Sequence, residues 1–566
     1  MEDTQPQILN TLMEKLIAEK NSANELQKRK HEDWNDNYEL YRNKVKTNRL
    51  TQRQAVNIPL MKETIKTLLS KIDDAPNVEW KEMGGNEDKE IVYQEIWNTN
   101  YKESKLELVD ILDKKNVLLY GLGTKKLNIG KNGIDIDALD IYDVVFDPLM
   151  LSGQVETARF IIHQNIFKTI REILADKRYA EKGKSDLRTW LHSDPGINQS
   201  QENREQWERK MERMKDMGVR SSDFPLFAGG DRLVNLTEHY TNVWNVKKQA
   251  FERRVVVYVD NQIELLNETL ESLIGVNFYP FVVWSEDPET NDVYPDSVAD
   301  LVRTPNKILN VWFSQLIENR TLKNFQMHWF LPGQNYTPQT YNPGPGVMLP
   351  APPGDDINKV IKPVEISGLE DTLTAINTLT AIVERGTGTV AIDKGQTEKG
   401  VQTLGEVEIL VGKSMERAVG MAKFYKMAWD ETAVKWNALM QANQSIIISL
   451  YKKGRSGKMY AKKALQSDWK GEYVPILASS SEQETESIKS IQKFMFLIQQ
   501  FPDNIELRKI AQKRMLETVD FTPDELRAVV EFETSKSEQG GIPSPIQQQQ
   551  VQQPQVRPSQ LNLGTV

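Results

Sequence analysis

A stripe of large or apolar side chains runs from Leu404 through Val407, Val411, Met415, Ala418, Ala422, Tyr425, Trp429, Trp436 and Met440. Its steps are threes and fours with one seven, the spacing that stacks side chains on one face of an α-helix. Sustained over roughly 40 residues at 1.5 Å per residue, it predicts one helix about 60 Å long, beyond the usual length in a globular domain. A Gly-rich break, Gly386-Thr-Gly-Thr through Gly400, separates it from a preceding helical run. A long strut entered from a flexible loop suits a ring or channel component better than a compact enzyme.

The rest of the 566-residue chain is long enough for three or four structural regions around a sizeable core. It contains no cysteine, which excludes disulfides, thiolate nucleophiles and Cys-ligated metal sites. No apolar run approaches the ~20 residues that span a bilayer, and Met1-Glu-Asp-Thr-Gln-Pro is too acidic for a secretory signal. A soluble protein made without export, with no membrane partner, is expected. The formal charge of −9 argues against a sequence-specific grip on nucleic-acid phosphates. Transit of DNA past weakly interacting walls stays open.

Read along its length, the chain is α+β and predominantly helical. A charged helix over about 6–45 ends in Trp34, Tyr38 and Tyr41, an aromatic stripe expected to be packing. A second helix, about Gln54 to Ile72, contains Pro59, which kinks or delays it. Asn77 to Met83 alternates like a strand, and a helix is expected over Asp88 to Leu119. Strands follow at Thr124–Ile129, Ile134–Ile141, Ala158–Gln164, Leu233–Asn245 and Phe251–Val259, with a charged helical insertion over about Phe167–Met217. Thr304-Pro305 reads as a helix start, a capping hydroxyl before a proline, leading to a helix that ends near Lys323. Residues 324–367 are dense in Pro and Gly, with short strands expected at Phe325–Leu331, Val347–Leu349 and Lys359–Ile366. Leu369–Arg385 is helical again, Ser467 to Leu477 reads as a loop and strand, and about Glu482–Lys536 as helices. The Gln-rich tail lacks the apolar mass to fold.

The chemical motifs are weak. Gly412-Lys413-Ser414 resembles the end of a phosphate-binding loop, but Val407 stands where the first glycine belongs and the tripeptide lies inside the long helix. Asp135, Asp137, Asp140, Asp143 and Asp147 miss calcium-loop spacing and read as solvent-facing positions beside a strand, with Asp147-Pro148 a turn signal. His31, His163, His192, His239 and His328 share no ligand spacing. Gly405, Gly412 and Gly420 each cost the long helix about 1 kcal/mol relative to Ala, tolerating close packing or lying incidentally on an exposed face. No catalytic residue, metal site or cofactor is expected.

The order of elements is informative: helix, Pro/Gly-rich β module, helix, Gly-rich loop, very long helix, terminal helices. It resembles the portal proteins of tailed bacteriophages, the head–tail connectors through which DNA is packaged. Local texture carries the same resemblance over about residues 25–535: Trp34 with Tyr38 and Tyr41, Asn57-Ile-Pro-Leu-Met-Lys, Asp135-Ile-Asp with Phe146-Asp-Pro, and Tyr279-Pro-Phe with Asp296-Ser-Val-Ala-Asp-Leu-Val, Asn306 and Asn310.

The resemblance implies a portal fold of wing, stem, clip and crown. Residues 1–295 would form the wing, 296–323 and 368–385 the stem helices, and 324–367 the clip. Residues 386–402 would be the tunnel loop, 403–479 the long wing helix and its return strand, 480–536 the crown, and 537–566 a disordered tail. It implies a homo-oligomeric ring of roughly twelve subunits at one capsid vertex of the virion, assembled in the host cytoplasm. Double-stranded DNA would pass through it non-specifically, driven inward by a separate terminase and later ejected. Lys394, Gln396, Thr397 and Lys399 would face DNA from the tunnel loop. Gln334, Tyr336, Tyr341, Asp355 and Asp356 of the clip would dock terminase and a head–tail adaptor, and the capsid or scaffolding protein would hold the ring. The alternatives are another head–tail connector or minor capsid protein and, from a different class, an enzyme of the packaging machinery.

Overall fold

The computed structural model describes residues 12–44, 56–72, 77–130, 133–193, 233–259, 261–324, 328–330, 361–363, 370–389, 404–443, 448–453, 459–464 and 466–478. The chain divides into two units, Met1–Ser480 and Ser481–Val566, and all described residues belong to the first. The expected crown helices and Gln-rich tail lie outside the described residues, as do residues 194–217 of the expected insertion.

Helix α1, Leu12–Tyr41, buries Leu16, Lys20, Ala23, Gln27, Trp34, Asn37 and Leu40 along one side. The Trp34 ring meets Tyr120, Tyr142 and Tyr294 edge-on at 5.4–6.2 Å, so the aromatic stripe begins as packing, as its spacing suggests. Helix α2 covers Leu60–Lys71, starting directly after Pro59. The expected helix from Gln54 is therefore delayed, because the proline ring clashes with a helical residue before it. The single helix expected over Asp88–Leu119 is two, α3 (Glu87–Glu103) and α4 (Leu106–Tyr120), divided at Lys105, whose φ of +50° is left-handed. The break lets α3 pack on strand β1 (Asn77–Glu82) while α4 packs on β2 (Gly123–Ile129) and β3 (Ile134–Ala138). Gly121 ends α4 with φ +84°, and a Cβ there would stand 2.0 Å from the Pro295 carbonyl oxygen, so only glycine fits.

A five-stranded antiparallel meander follows: β4 (Val144–Phe146), β5 (Phe160–Thr169), β6 (Leu233–Asn245), β7 (Ala250–Val259) and β8 (Ile263–Thr269). Between β5 and β6 stand α5 (Ile170–Ala175) and α6 (Glu181–Ser193), where helical insertion was expected. After the short helix α7 (Leu270–Ile274), strand β9 (Phe281–Trp284) pairs with β2, giving a three-stranded sheet β3-β2-β9. The sequence reading missed β4, β8 and β9. Helix α8 spans Val298–Asn324 and carries Pro305 inside it.

Strands β10 (His328–Phe330) and β11 (Ile361–Pro363) pair antiparallel within the expected strands Phe325–Leu331 and Lys359–Ile366; Val347–Leu349 lies outside the described residues. Helix α9 is Glu370–Thr387 and helix α10 is Leu404–Ala442. At 39 residues, α10 is about 58 Å long by the helical rise. Gly412-Lys413-Ser414 lies in its interior, where no phosphate cradle forms. Gly420 is exposed with open space where a Cβ would go, so at that position the glycine is incidental. The hairpin β12–β13 (Ile448–Lys453 and Met459–Ala464), the turn of helix α11 (Gln466–Trp469) and β14 (Tyr473–Ala478) close the described chain. β14 pairs with β1 along its whole length, from Asn77↔Ala478 to Glu82↔Tyr473, sewing the last described strand to the first.

Candidate functional site

Helix α8 begins earlier than Thr304-Pro305. Ser297 Oγ accepts the Asp300 N–H at 3.2 Å, and the Asp300 carboxylate accepts the Ser297 N–H at 2.8 Å, a reciprocal cap built from Ser and Asp. Pro305 is tolerated within the helix because the carbonyl it leaves without a donor belongs to Leu301, on an exposed face. One side of α8 then presents Asn306, Asn310 and Ser314, buried at successive turns. Asn306 Oδ1 accepts the Met61 N–H at 2.9 Å, Asn310 Oδ1 the Ile58 N–H at 2.8 Å, and Ser314 Oγ the Val56 N–H at 3.1 Å. Asn306 Nδ2 also donates to the Ile58 carbonyl at 3.1 Å. Donors that α2 and the segment before it leave unpaired are thus satisfied by a polar ladder on α8, fixing α2 against it.

Helix α9 packs along α8, and its end is built with care. Gly388 takes φ +70°, Thr389 N–H returns to the Glu384 carbonyl at 3.1 Å, and the Thr387 and Thr389 hydroxyls meet at 2.9 Å. Lys71, at the end of α2, donates to the Gly388 carbonyl at 3.2 Å. The expected Gly-rich break therefore opens with two more helical residues and a fixed cap. Lys394, Gln396, Thr397 and Lys399 lie outside the described residues, as do Gln334, Tyr336, Tyr341, Asp355 and Asp356. What the structure brings together are the ends of the elements that lead into these segments.

The far end of α10 is rooted in the sheets by two buried clusters. In the first, Asp110 accepts Tyr425 Oη at 2.6 Å and Trp429 Nε1 at 3.0 Å, and pairs with Lys114 at 2.6 Å. Beside it, Asp113 accepts Trp284 Nε1 at 2.7 Å and pairs with Lys125 at 3.3 Å, whose ammonium stands 4.3 Å over the Trp429 ring. Burial raises the Asp113 carboxyl, against the pull of Lys125. In the second, Trp436 packs among Trp80, Tyr93 and Trp97 at 4.8–5.6 Å, with Tyr473 stacked on Tyr93 at 3.9 Å. Between them, buried Lys435 reaches Glu156 at 2.9 Å, Glu431 at 2.8 Å and the carbonyls of Tyr279 and Phe281 at 3.1 and 2.7 Å. Tyr425, Trp429, Trp436 and Met440, all on the predicted stripe, are buried. Asp110, Asp113, Lys125 and Lys435 carried no signal in the sequence reading, since nothing local distinguishes them from solvated charges.

A helix pair bearing a small β module, a segment leading into a long helix, and a sheet domain that roots that helix form one arrangement. A family model for the phage SU10 portal protein matches residues 17–456, more than three quarters of the chain. The chain belongs to that family. It is a phage portal protein, of a structural class. No curated protein matches it by sequence.

The decoy groups of this portal chain have structural roles. Asp135 and Asp137 are exposed on β3, as expected of a set beside a strand. Asp143 and Asp147 are instead buried. Asp147 accepts the Leu149 N–H at 3.1 Å, forming the expected turn, and binds Arg159 through Nε and Nη2 at 2.8 and 2.7 Å. Among the described residues no group of three or more His, Asp or Glu is placed to hold a metal, and no helix is long and apolar enough to cross a membrane.

His163 and His239 join sheets and helix. His163 shares Lys126 and Glu238 between the two sheets, and His239 meets Glu19 of α1 at 2.9 Å. Burial lowers both imidazoles, helped by Lys126 at His163 and by Lys20 and Lys15 at His239, against Glu238, Asp143 and Glu19. A base held neutral by folding contributes stability that is complete above its unfolded value, about 6.5, and is lost as pH falls below it. The melting temperature at about pH 5.5 is therefore expected below that at about pH 7.5, with His239→Gln shrinking the difference. Thermal unfolding at the two values checks this; a protein more stable in acid contradicts it. Glu238, which Lys126 and His163 hold well below the carboxylate range despite burial, loses its contribution only at still lower pH.

Proposed function

We propose that this portal protein forms a ring of roughly twelve copies at one capsid vertex and acts, without enzymatic activity, as the conduit for double-stranded DNA. A separate terminase drives the DNA inward, and it leaves later by the same route. In this reading residues 1–295 and 403–479 are the wing, α8 and α9 the stem, 324–367 the clip and 386–402 the tunnel loop, with 480–536 as crown. Lys394 and Lys399 touch passing phosphates transiently, with Gln396 and Thr397 as polar neighbours. Gln334, Tyr336, Tyr341, Asp355 and Asp356 offer the clip's docking surface for terminase and the head–tail adaptor, and the capsid or scaffolding protein seats the ring.

The observation that supports the reading is the fixed framing of residues 390–403: α9 ends in a clamped cap at Thr389, and α10 resumes at Leu404 with its far half locked into the sheets. Such framing lets a Gly-containing segment move against DNA while its ends stay in place. Gly388 and Thr389 belong to the cap of α9 and are kept. Deletion of 390–398 is the test variant. It is expected to leave ring assembly intact and to reduce packaged or retained DNA at least tenfold. Loss of the ring itself would place the segment in the subunit interface instead.

A further inference from the structure

Strands β6 and β7 outrun their sheet. β5 pairs with β6 only as far as Phe160↔Thr241, and β8 with β7 only as far as Arg254↔Thr269. Asn242 still donates its backbone N–H to the Arg159 carbonyl at 3.1 Å, and beyond it Val243–Asn245 and Ala250–Glu252 have only each other as strand partners, in the register Val243↔Glu252 to Asn245↔Ala250. The result is a two-stranded finger, a form marginally stable on its own in water. It carries Trp244, Val246 and Phe251 at 50%, 77% and 69% exposure, with the Trp244 and Phe251 rings 5.0 Å apart as a cross-strand pair. Its root is rigid: Arg253 binds Glu156 and the Asn277 carbonyl and lies 4.6 Å over the Tyr279 ring. Lys247 and Lys248 stand at its exposed tip.

Elsewhere on the same chain, α4 presents a second apolar face. Leu108, Ile111 and Leu112, at the i, i+3, i+4 spacing, are 53%, 52% and 45% exposed, and Glu107 beside them is exposed as well. The opposite side of α4 holds the buried Asp110, Asp113 and Lys114, so this face is a fixed platform. The two patches are unlike in shape, one a projecting aromatic tip and the other a flat aliphatic helix face. At the finger's tip Lys248 is paired with Glu252 at 2.8 Å and Lys247 is exposed, while the α4 face carries the exposed Glu107 with Lys105 at its N-terminal end.

A cyclic ring is closed by head-to-tail contacts, which require two different, complementary patches on every copy. We propose that the finger of one subunit packs its Trp244, Val246 and Phe251 onto the Leu108–Leu112 face of the next copy, with Lys247 toward Glu107. The proposal rests on the ring reading above and assigns one contact within that ring. It also accounts for an overhanging, aromatic hairpin on a chain whose other described aromatic side chains are buried or partly buried.

The absence of cysteine in the chain makes a direct test simple. Val246→Cys is combined with Leu108→Cys or with Ile111→Cys in the full chain, and rings are treated with a short bismaleimide. The control pair is Val246→Cys with Ile91→Cys, an exposed position on α3. A ladder of covalent dimers and higher multiples, absent from the single-cysteine proteins and the control pair, is the expected result. Rings that form normally yet stay monomeric on denaturing gels overturn the docking and leave the ring reading standing. If the cysteine-free parent forms no ring under any condition, the ring reading fails and this contact fails with it. As a second readout, Trp244→Asp with Phe251→Asp is expected to cut ring yield at least tenfold while leaving the circular dichroism of the monomer unchanged. Undiminished ring yield counts against the proposal.

Discussion

Replacing Trp436 by alanine is expected to destabilise the chain by about 3–5 kcal/mol, the cost of removing a fully buried Trp from a packed core. Trp436 is inaccessible to solvent and touches Trp80 of β1 and Tyr93 and Trp97 of α3. Those partners come from distant parts of the chain, so the cavity left behind cannot be closed by a local shift. The loss falls on the seam that ties α10 to β1 and β14. Chemical denaturation of the unassembled chain measures it, with Val434→Ala as the comparison. Val434 is half-exposed on the opposite side of the same helix, and its truncation is expected to cost no more than about 0.5 kcal/mol. Equal effects at the two positions would mean that the helix is not rooted by its aromatic face.

Lys125→Met comes next in size. It leaves the Asp113 carboxylate buried without its cation, which for a buried pair costs about 3–5 kcal/mol. Asp113 already has a raised pKa from burial, so in the variant it takes up a proton more readily, and the loss is expected to be larger at alkaline pH than at mildly acid pH. The sign follows from the carboxyl: raised in the fold, it favours the folded state below its unfolded value and opposes it as pH rises through the folded value. Replacing both partners, Lys125→Met with Asp113→Leu, is expected to recover at least half of the single-variant loss. Trp284 Nε1, which donates to Asp113, sets the residual cost. A pH-independent defect, or a double variant worse than the single, would mean that the pair acts through packing alone.

The elements that were legible in the sequence are those whose signal is local and repeated. Tyr425, Trp429, Trp436 and Met440 fall on one helical stripe, and that stripe is buried. Strand β6, Leu233–Asn245, has the bounds its alternation suggests. Thr304-Pro305 misled because it matches a helix start, whereas the cap in use is Ser297 with Asp300, an acid where a Glu is the commoner partner. The division of α3 from α4 has no Gly or Pro to announce it; tertiary packing on two different sheets bends the chain at Lys105. Lys125 and Lys126 read as the polar residues of a strand, yet both are buried, because Asp113 and Glu238 arrive from elsewhere to meet them. The pairing of β1 with β14 is equally non-local. As for the site, the asparagines Asn306 and Asn310 stood out as part of a resemblance, and the structure supplies their physical task in holding Ile58 and Met61. The tunnel-loop and clip residues lie outside the described chain, so the sequence remains their source.

The most direct test of the portal assignment as a ring-forming conduit is negative-stain electron microscopy of the purified full-length protein, with end-on views classified by symmetry. The account predicts annular particles with a central hole and roughly twelve-fold symmetry. A stable, closed oligomer without a central hole would contradict it.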